Sequence, residues 1–298
     1  MSADQSLSTP RIAIVSPVRD EERTLARTLA CVRAQTLPPV QWVVVDDGST
    51  DATPRLLAEA AREIPWMRVV KRHDRGRRKV GGGVVEAFEA GLAAIDVPYD
   101  FIVKLDADLE FSPRYLERIM HYFREDPLLA AASGKVFRPE PGGLVEEYMI
   151  DEMVARQFKL YRREAFEAIG GFVREVMWDG IDFHRARMHG YRTRSLPDPE
   201  LRIVHLRLMG SSEGNIFHGR MRHGRGQWFM GSAWPYVLAS SVFRFREKPY
   251  VIGGLLMFAG YLAAALRGAP RYDDAVFRRE LRRWQFERLK RLGRGQSD

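Results

Sequence analysis

Residues 101–111 read FIVKLDADLEF, an apolar run of Phe101, Ile102 and Val103 that leads directly into carboxylates at alternate positions, Asp106, Asp108 and Glu110. In an extended chain, residues two apart point to the same side, so the three acids would crowd one face. Such crowding requires water or a cation between them. On either side of this stretch, short β-branched runs alternate with longer helical patterns. Residues 12–15 (IAIV) predict a strand, followed by a helix from about Glu21 with Leu25, Leu29 and Val32 at i, i+4 and i+7 and acids in its first turn. Residues 42–45 (WVVV) predict a second strand ending in DDGSTD, and Pro54 suits the first turn of a helix capped by Ser49, Thr50 or Asp51. Val69 and Val70 predict a third strand, residues 83–95 a helix, and residues 101–105 a fourth strand. Ser112 and Pro113 then suit the cap and first turn of the next helix.

The order βαβαβαβα implies an α/β fold with a mostly parallel sheet and helices on both faces. In such sheets ligands bind beyond the carboxyl ends of the strands. Both acidic clusters, residues 46–51 (DDGSTD) and 106–108 (DAD), fall at strand carboxyl ends. Turn and cap chemistry accounts for either cluster alone. Two clusters at equivalent places in one sheet point to a ligand site.

Composition narrows the class. The chain has 298 residues, 45% hydrophobic and 29% charged, as expected for a globular protein of one large domain or one domain with an appendage. No basic segment followed by an apolar core marks the N-terminus as a secretory signal. The single cysteine, Cys31, cannot form an internal disulfide, which fits a reducing compartment and a cytoplasmic catalytic part. No GxGxxG follows a strand, and GxxxxGK[ST], HExxH, GxSxG and CxxC are absent, which removes dinucleotide, P-loop, zinc-peptidase, serine-hydrolase and thioredoxin-like chemistry.

SPVRDEERTL at 16–25, VVVDDGSTD at 43–51, KLDADLEF at 104–111 and GGFVREVMWDGIDFHRARMHGYRT at 170–193 together resemble glycosyltransferase family 2 over roughly residues 10–210. The resemblance implies a GT-A, Rossmann-like catalytic domain at 10–210 and a helical C-terminal appendage at 211–298. It implies a metal-dependent, inverting transferase of the hexosyltransferase class that takes a UDP or GDP sugar as donor. Asp46 and Asp47 resemble the acids that contact the base or ribose, with Pro17 and Glu21 lining the same pocket. Asp106 and Asp108 resemble the DxD pair that holds Mg²⁺ or Mn²⁺ on the donor diphosphate, Asp106 also lying beside the nucleotide, and Glu110 stands where close relatives place a further ligand. His205 is a candidate metal or diphosphate contact, although its apolar strand pattern favours a core or strand-end histidine. The family's base opens a helix after a GGF segment; here Gly180 occupies the usual position, so Asp179 is assigned the role and Asp182 a supporting one. The QxxRW motif of processive synthases is absent, which favours single-sugar transfer. Hard cations match this donor set, since Mg²⁺ takes one or two protein carboxylates and leaves the remaining positions to substrate oxygens.

The basic run at 71–79 (KRHDRGRRK) is either a diphosphate contact or a solvated loop, and 218–225 (HGRMRHGR) reads as a mobile lid. Residues 226–243 and 249–266 are each 18 residues without a charge, at the lower edge for a membrane span and equally consistent with core or re-entrant segments. Ten Lys or Arg against five acids in residues 267–298 put +5 of the net +8 there. In that stretch Phe277, Leu281, Trp284, Leu289 and Leu292 share one helical face, which suits either an acidic membrane surface or packing on the catalytic domain. A peripheral association with the cytoplasmic face of the inner membrane, a glycan or lipid-linked acceptor in envelope or exopolysaccharide synthesis, and no nucleic-acid partner follow as expectations. The alternatives are a nucleotidyltransferase and a degenerate transferase that binds nucleotide or nucleic acid through its basic surface.

Overall fold

In the computed structural model, residues 9–74, 76, 81–206, 216–246 and 249–293 are described. The expected parallel core is present because its strands are continuous apolar runs that can be buried on both faces. They are β1 (Ile12–Val18), β2 (Gln41–Asp46) and β4 (Phe101–Leu105), with every residue of β2 and β4 buried. Around them come α1 (Leu25–Arg33), α2 (Thr53–Glu63), β3 (Met67–Lys71), α3 (Gly82–Leu92), β5 (Leu109–Phe111), α4 (Tyr115–Glu125) and β6 (Leu129–Gly134). Next in the chain are β7 (Val136–Glu140), β8 (Gly143–Glu146), β9 (Phe158–Arg162), α5 (Arg163–Ala168), β10 (Arg192–Leu196) and β11 (Ile203–His205). The main sheet has seven strands in the order β10-β6-β9-β4-β1-β2-β3. Only β9 runs against its neighbours β4 and β6. Trp42, almost fully buried, donates its indole N–H to Ser16 Oγ at 2.9 Å, which satisfies its one polar atom inside the core. Gly91 of α3 faces Val15 and Val45 so closely that a Cβ would come within 2.4 Å of a valine methyl.

A second sheet, in the order β5-β11-β7-β8, was not anticipated. Its members are short, and β5 and β11 have only three residues each, too few for periodicity to register. The chain therefore passes from one sheet to the other between β4 and β5. The acids at 106, 108 and 110 do not share the face of a single strand.

Contacts divide the chain into two units. The first comprises Met1–Lys79, Gly83–Gly171 and Tyr191–Leu206, and contains both sheets; the second comprises Val80–Gly82, Phe172–Gly190 and Arg207–Asp298. The expected boundary at 210/211 lies outside the described residues. The second unit holds α6 (Trp178–Met188), α7 (Ile216–Met230), α8 (Trp234–Phe243), α9 (Tyr250–Leu266) and α10 (Ala275–Gly293). Residues 218–225, expected as a mobile lid, lie inside α7. Their glycine content serves helix packing: a Cβ on Gly224 would sit 1.9 Å from the Met257 carbonyl of α9, and one on Gly260 would sit 2.2 Å from the Met221 carbonyl of α7. The uncharged stretch 226–243 is broken at Gly231, which has φ +88° and no room for a Cβ beside Arg278. No helix among the described residues is long and apolar enough to cross a membrane. The apolar face of α10 is turned inward, with Phe277 and Leu281 fully buried against Ile181 and Met230.

His184 of α6 is fully buried beside Trp284, with ring centroids 4.9 Å apart, and burial together with the Arg187 charge lowers its pKa from 6.5 to about 3. The unfolded chain takes up this proton near pH 6.5 and the folded chain does not. Stability from the neutral ring is thus complete above about pH 6.5 and declines as pH falls from there towards 3. We predict that His184→Phe makes the loss of melting temperature between neutral and mildly acidic pH shallower than in the parent. Equal slopes in a pH series of thermal melts would contradict this.

Candidate active site

Two turns at the carboxyl ends of β1 and β2 are interlocked. Asp20 N–H donates to Ser49 Oγ at 3.0 Å and Thr50 N–H returns to Asp20 Oδ1 at 2.8 Å. Glu22 N–H donates to Asp51 Oδ2 at 3.1 Å and Ala52 N–H returns to Glu22 Oε2 at 3.0 Å. Between them Glu21 N–H meets Thr53 Oγ1 at 2.8 Å. This is why α1 begins at Leu25 rather than near Glu21 and has no acid in its first turn. The acids that would have opened the helix hold the other turn instead. Asp51 also accepts from Thr53 N–H at 2.9 Å just before α2, but the cap position of that helix is Ala52, which has no side-chain cap, rather than Ser49, Thr50 or Asp51. Burial raises the pKa of Asp51, but the Thr53 and Glu22 donors outweigh that, and the carboxyl titrates below the usual range.

The four residues expected at the nucleotide lie on or beside these turns. Pro17 pairs in register with Val45, and Asp46 ends β2 with its Oδ1 accepting from Ser49 N–H at 2.9 Å. Glu21 is buried, with its carboxylate 3.2 Å from the Thr24 hydroxyl. Asp47 is held by two arginines, Arg19 and Arg72. Arg72 Nη1 lies 2.7 Å from its carboxylate and Arg19 Nη1 lies 2.9 Å from its carbonyl oxygen. Arg72 belongs to the basic run 71–79, of which residues 75 and 77–79 lie outside the described residues.

β4 adjoins β1 on the other side, so its carboxyl end opens next to the same turns. The three acids there are separated by protein cations. Lys104 Nζ, almost fully buried, contacts Asp106 Oδ1 at 2.5 Å and donates to the Arg156 carbonyl at 2.8 Å. Asp108 Oδ2 lies 3.4 Å from His205 Nε2, and Glu110 lies 3.1 Å from Arg27 of α1. The expectation that the acids crowd one face is therefore corrected. The break between β4 and β5 disperses them, and each has its own cationic partner.

His205 is sandwiched, with its Nδ1 3.3 Å from Glu147 Oε1. Burial opposes its charge, but the two carboxylates prevail and raise its pKa to about 9, so it is an imidazolium at neutral pH. Glu147 is itself buried and also faces Gln157 Nε2 at 3.3 Å. Sequence reasoning missed Glu147, which lies 58 residues from His205. The available signal was the turn Pro141-Gly142-Gly143, which marks the β7–β8 hairpin that delivers it. Of the expected metal ligands, Asp108 and His205 are in contact, whereas Asp106 and Glu110 face Lys104 and Arg27. Among the described residues, no three His, Cys, Asp or Glu side chains are grouped so as to hold a metal. Asp106 and Asp108 still offer two hard carboxylates at one strand end, the donor set that Mg²⁺ and Mn²⁺ take when substrate oxygens complete the shell.

In the second unit, α6 opens on Met177 at φ 72°, followed by Asp179 in its first turn. Asp179 is half-buried and Asp182 fully buried. A Cβ at Gly180 would lie 3.2 Å from Met230 Sδ, so the position where the family places its base is filled by packing.

Comparison with known proteins agrees with this architecture. Residues 13–174 match the model of the glycosyl transferase family 2. A glycosyltransferase of Haloferax volcanii, AglD, is 28% identical over 62% of this chain and 32% of its own length. The undecaprenyl-phosphate mannosyltransferase of Micrococcus luteus is 29% identical over 51% of this chain and 59% of its own. The matched stretches thus cover less than two thirds of these relatives. Among solved structures, the mannosyltransferase PcManGT of Pyrobaculum calidifontis, in complex with GDP-Man and Mn²⁺, aligns over 88% of this chain and 77% of its own at 20% identity and a TM-score of 0.57. With an α/β core of this topology and a family match over more than half its length, the chain belongs to glycosyltransferase family 2 and has the GT-A fold.

Proposed function

We propose that this glycosyltransferase moves one sugar from a UDP or GDP sugar to a hydroxyl of a lipid-linked acceptor, with inversion and with Mg²⁺ or Mn²⁺. The observation that carries the proposal is the convergence of three adjacent strand ends, β2, β1 and β4, with Asp46 and Asp47 on one side and Asp106 and Asp108 on the other. Pro17, Glu21, Asp46 and Asp47 contact the base and ribose in this reading. Asp106 and Asp108 hold the cation on the diphosphate, while Glu110 and His205 set the charge around them. When bound, a divalent cation neutralises the charge that gathers on the leaving diphosphate. Asp179 accepts the proton of the acceptor hydroxyl, and its half-exposed place in the first turn of α6 favours it over the enclosed Asp182.

The lipid-linked acceptor is supported by the undecaprenyl-phosphate relative, and the metal and nucleotide by the Mn²⁺ and GDP-Man in the structural neighbour. Work at the cytoplasmic face of the inner membrane, in envelope or exopolysaccharide assembly, follows from that acceptor class.

A thermal-shift panel of UDP, GDP, CDP and dTDP, each with Mn²⁺ or with EDTA, tests the donor half. A ligand at about 100 times its dissociation constant adds roughly 2.7 kcal/mol of stability. One nucleotide should raise the melting temperature with Mn²⁺ only, and Asp106→Asn should remove that shift. A flat panel would sink the donor assignment and favour a nucleotide-independent role for the acids.

The base is tested separately. Asp179→Asn should lower turnover by about 10²- to 10⁴-fold while the nucleotide-induced shift stays as in the parent. Retained turnover in a steady-state assay would reject Asp179.

A further inference from the structure

α8 and α9 form an antiparallel hairpin within the second unit. Ser241 O lies against Gly254, Val237 packs with Met257 and Tyr261, and the Tyr261 hydroxyl donates to Ser232 O at 2.9 Å. The buried face of α9 combines small residues with Met257 and Tyr261. Gly253, Gly254, Gly260 and Ala264 lie on the buried face of α9, and a Cβ at Gly254 or Gly260 would collide with a neighbouring carbonyl oxygen. A second set of large apolar side chains points the other way. Trp234, Leu238 and Val242 form an i, i+4, i+8 stripe on α8, and Val251, Leu255 and Leu262 share one face of α9, each between 39% and 60% exposed. In a water-soluble helical pair, bulky apolar residues fill the seam and polar ones face out. Here bulky apolar residues line the outward face as well as the seam, and small residues allow close backbone approach, as in helices that pack in lipid.

The charge around this face names its occupant. Arg244 and Arg246 follow the end of α8, and Arg267 follows the end of α9. From residue 216 to residue 272 the sequence has eight Lys or Arg and a single acid, Glu247. A second copy docked on the same face would bring arginine-fringed patches together with no acids to match them, whereas anionic headgroups complement them. At about 1.5 Å per residue, the 17 residues of α9 reach about 25 Å, short of the roughly 30 Å of a bilayer's apolar core. We infer that the outward face of the α8–α9 hairpin is a lipid-docking surface that lies in the interface of an anionic membrane without crossing it. On the amphipathic α10, Phe277 and Leu281 of the apolar face are already buried.

The inference deepens the lipid-acceptor reading, and it is tested without donor or acceptor so that the two fail separately. The full chain is sedimented with phosphatidylcholine vesicles, with or without phosphatidylglycerol, at moderate and high salt. The parent should pellet with the anionic vesicles and release partly in high salt. Leu255→Glu should weaken partitioning by about tenfold or more, since one buried leucine is worth at least that factor. Arg244→Ser combined with Arg246→Ser should weaken only binding to the anionic vesicles. Both variants should keep the parent's circular dichroism melt. No vesicle binding by the parent, or unchanged binding by Leu255→Glu, would overturn the surface. So would a parent dimer, seen by light scattering, that Leu255→Glu converts to monomer while vesicle binding is absent.

Discussion

Five hydrogen bonds between the turn after β1 and the turn after β2 hold the sheet's carboxyl edge in one geometry. Each turn gives backbone N–H groups to the other's side chains and receives them in return. Asp20 at φ 53° and Gly48 at φ 79° turn successive amides away from a helical ladder, and the amides of residues 20–22, 50 and 52 find their acceptors in the other turn. Both helices depend on the lock: α1 starts only after Asp20, Glu21 and Glu22 have been used in it, and α2 starts where Asp51 accepts the Thr53 amide. Asp46 and Asp47 are carried on this lock; four of its bonds are exposed, and only the Glu21 N–H to Thr53 Oγ1 bond is buried, so loss of the Thr53 hydroxyl would leave a buried amide unpaired at a cost of about 1–3 kcal/mol.

What was legible in the sequence follows from burial. β1, β2 and β4 are buried on both faces, so they read as β-branched runs, and their order in the chain forces a parallel sheet. β9 reads FKLYR, yet Lys159 within it is almost fully buried. A charged residue in a core strand, here Lys159 with its Nζ 6.0 Å from the Tyr161 ring, defeats hydrophobic patterning, since nothing in the local pattern marks it for burial. The same applies to Glu147, whose role depends on His205 across the β7–β11 ladder. α6 buries Asp182 and His184 along with Trp178 and Ile181, so it has no clean apolar stripe to announce which face packs. In the second unit, the uncharged stretches 226–243 and 249–266 were visible as such. Which side of them faces out was not, since a helix apolar all round carries no direction. Direction came from the glycines, where only one face permits backbone contact.

The pairing of Asp106, Asp108 and Glu110 with Lys104, His205 and Arg27 changes how the acidic edge should be understood. Three carboxylates within five residues need no exogenous cation to coexist when each has a cation of its own. A divalent ion entering with a diphosphate would then meet carboxylates that are already matched, and its binding would be an exchange of partners rather than the filling of a negative hole. The partners differ in how readily they let go. Arg27 and Glu110 are both more than a third exposed, so that pair is weak and screened by solvent. His205 is held from both sides in a buried setting, and its charge at neutral pH is fixed by Glu147 as much as by Asp108. Lys104 is anchored a second time by the Arg156 carbonyl, so it keeps a hydrogen-bond acceptor when Asp106 turns away. Asp106, the more exposed of the two DxD carboxylates, is therefore the one able to swing toward a ligand at least cost, and Asp108 is the one already oriented.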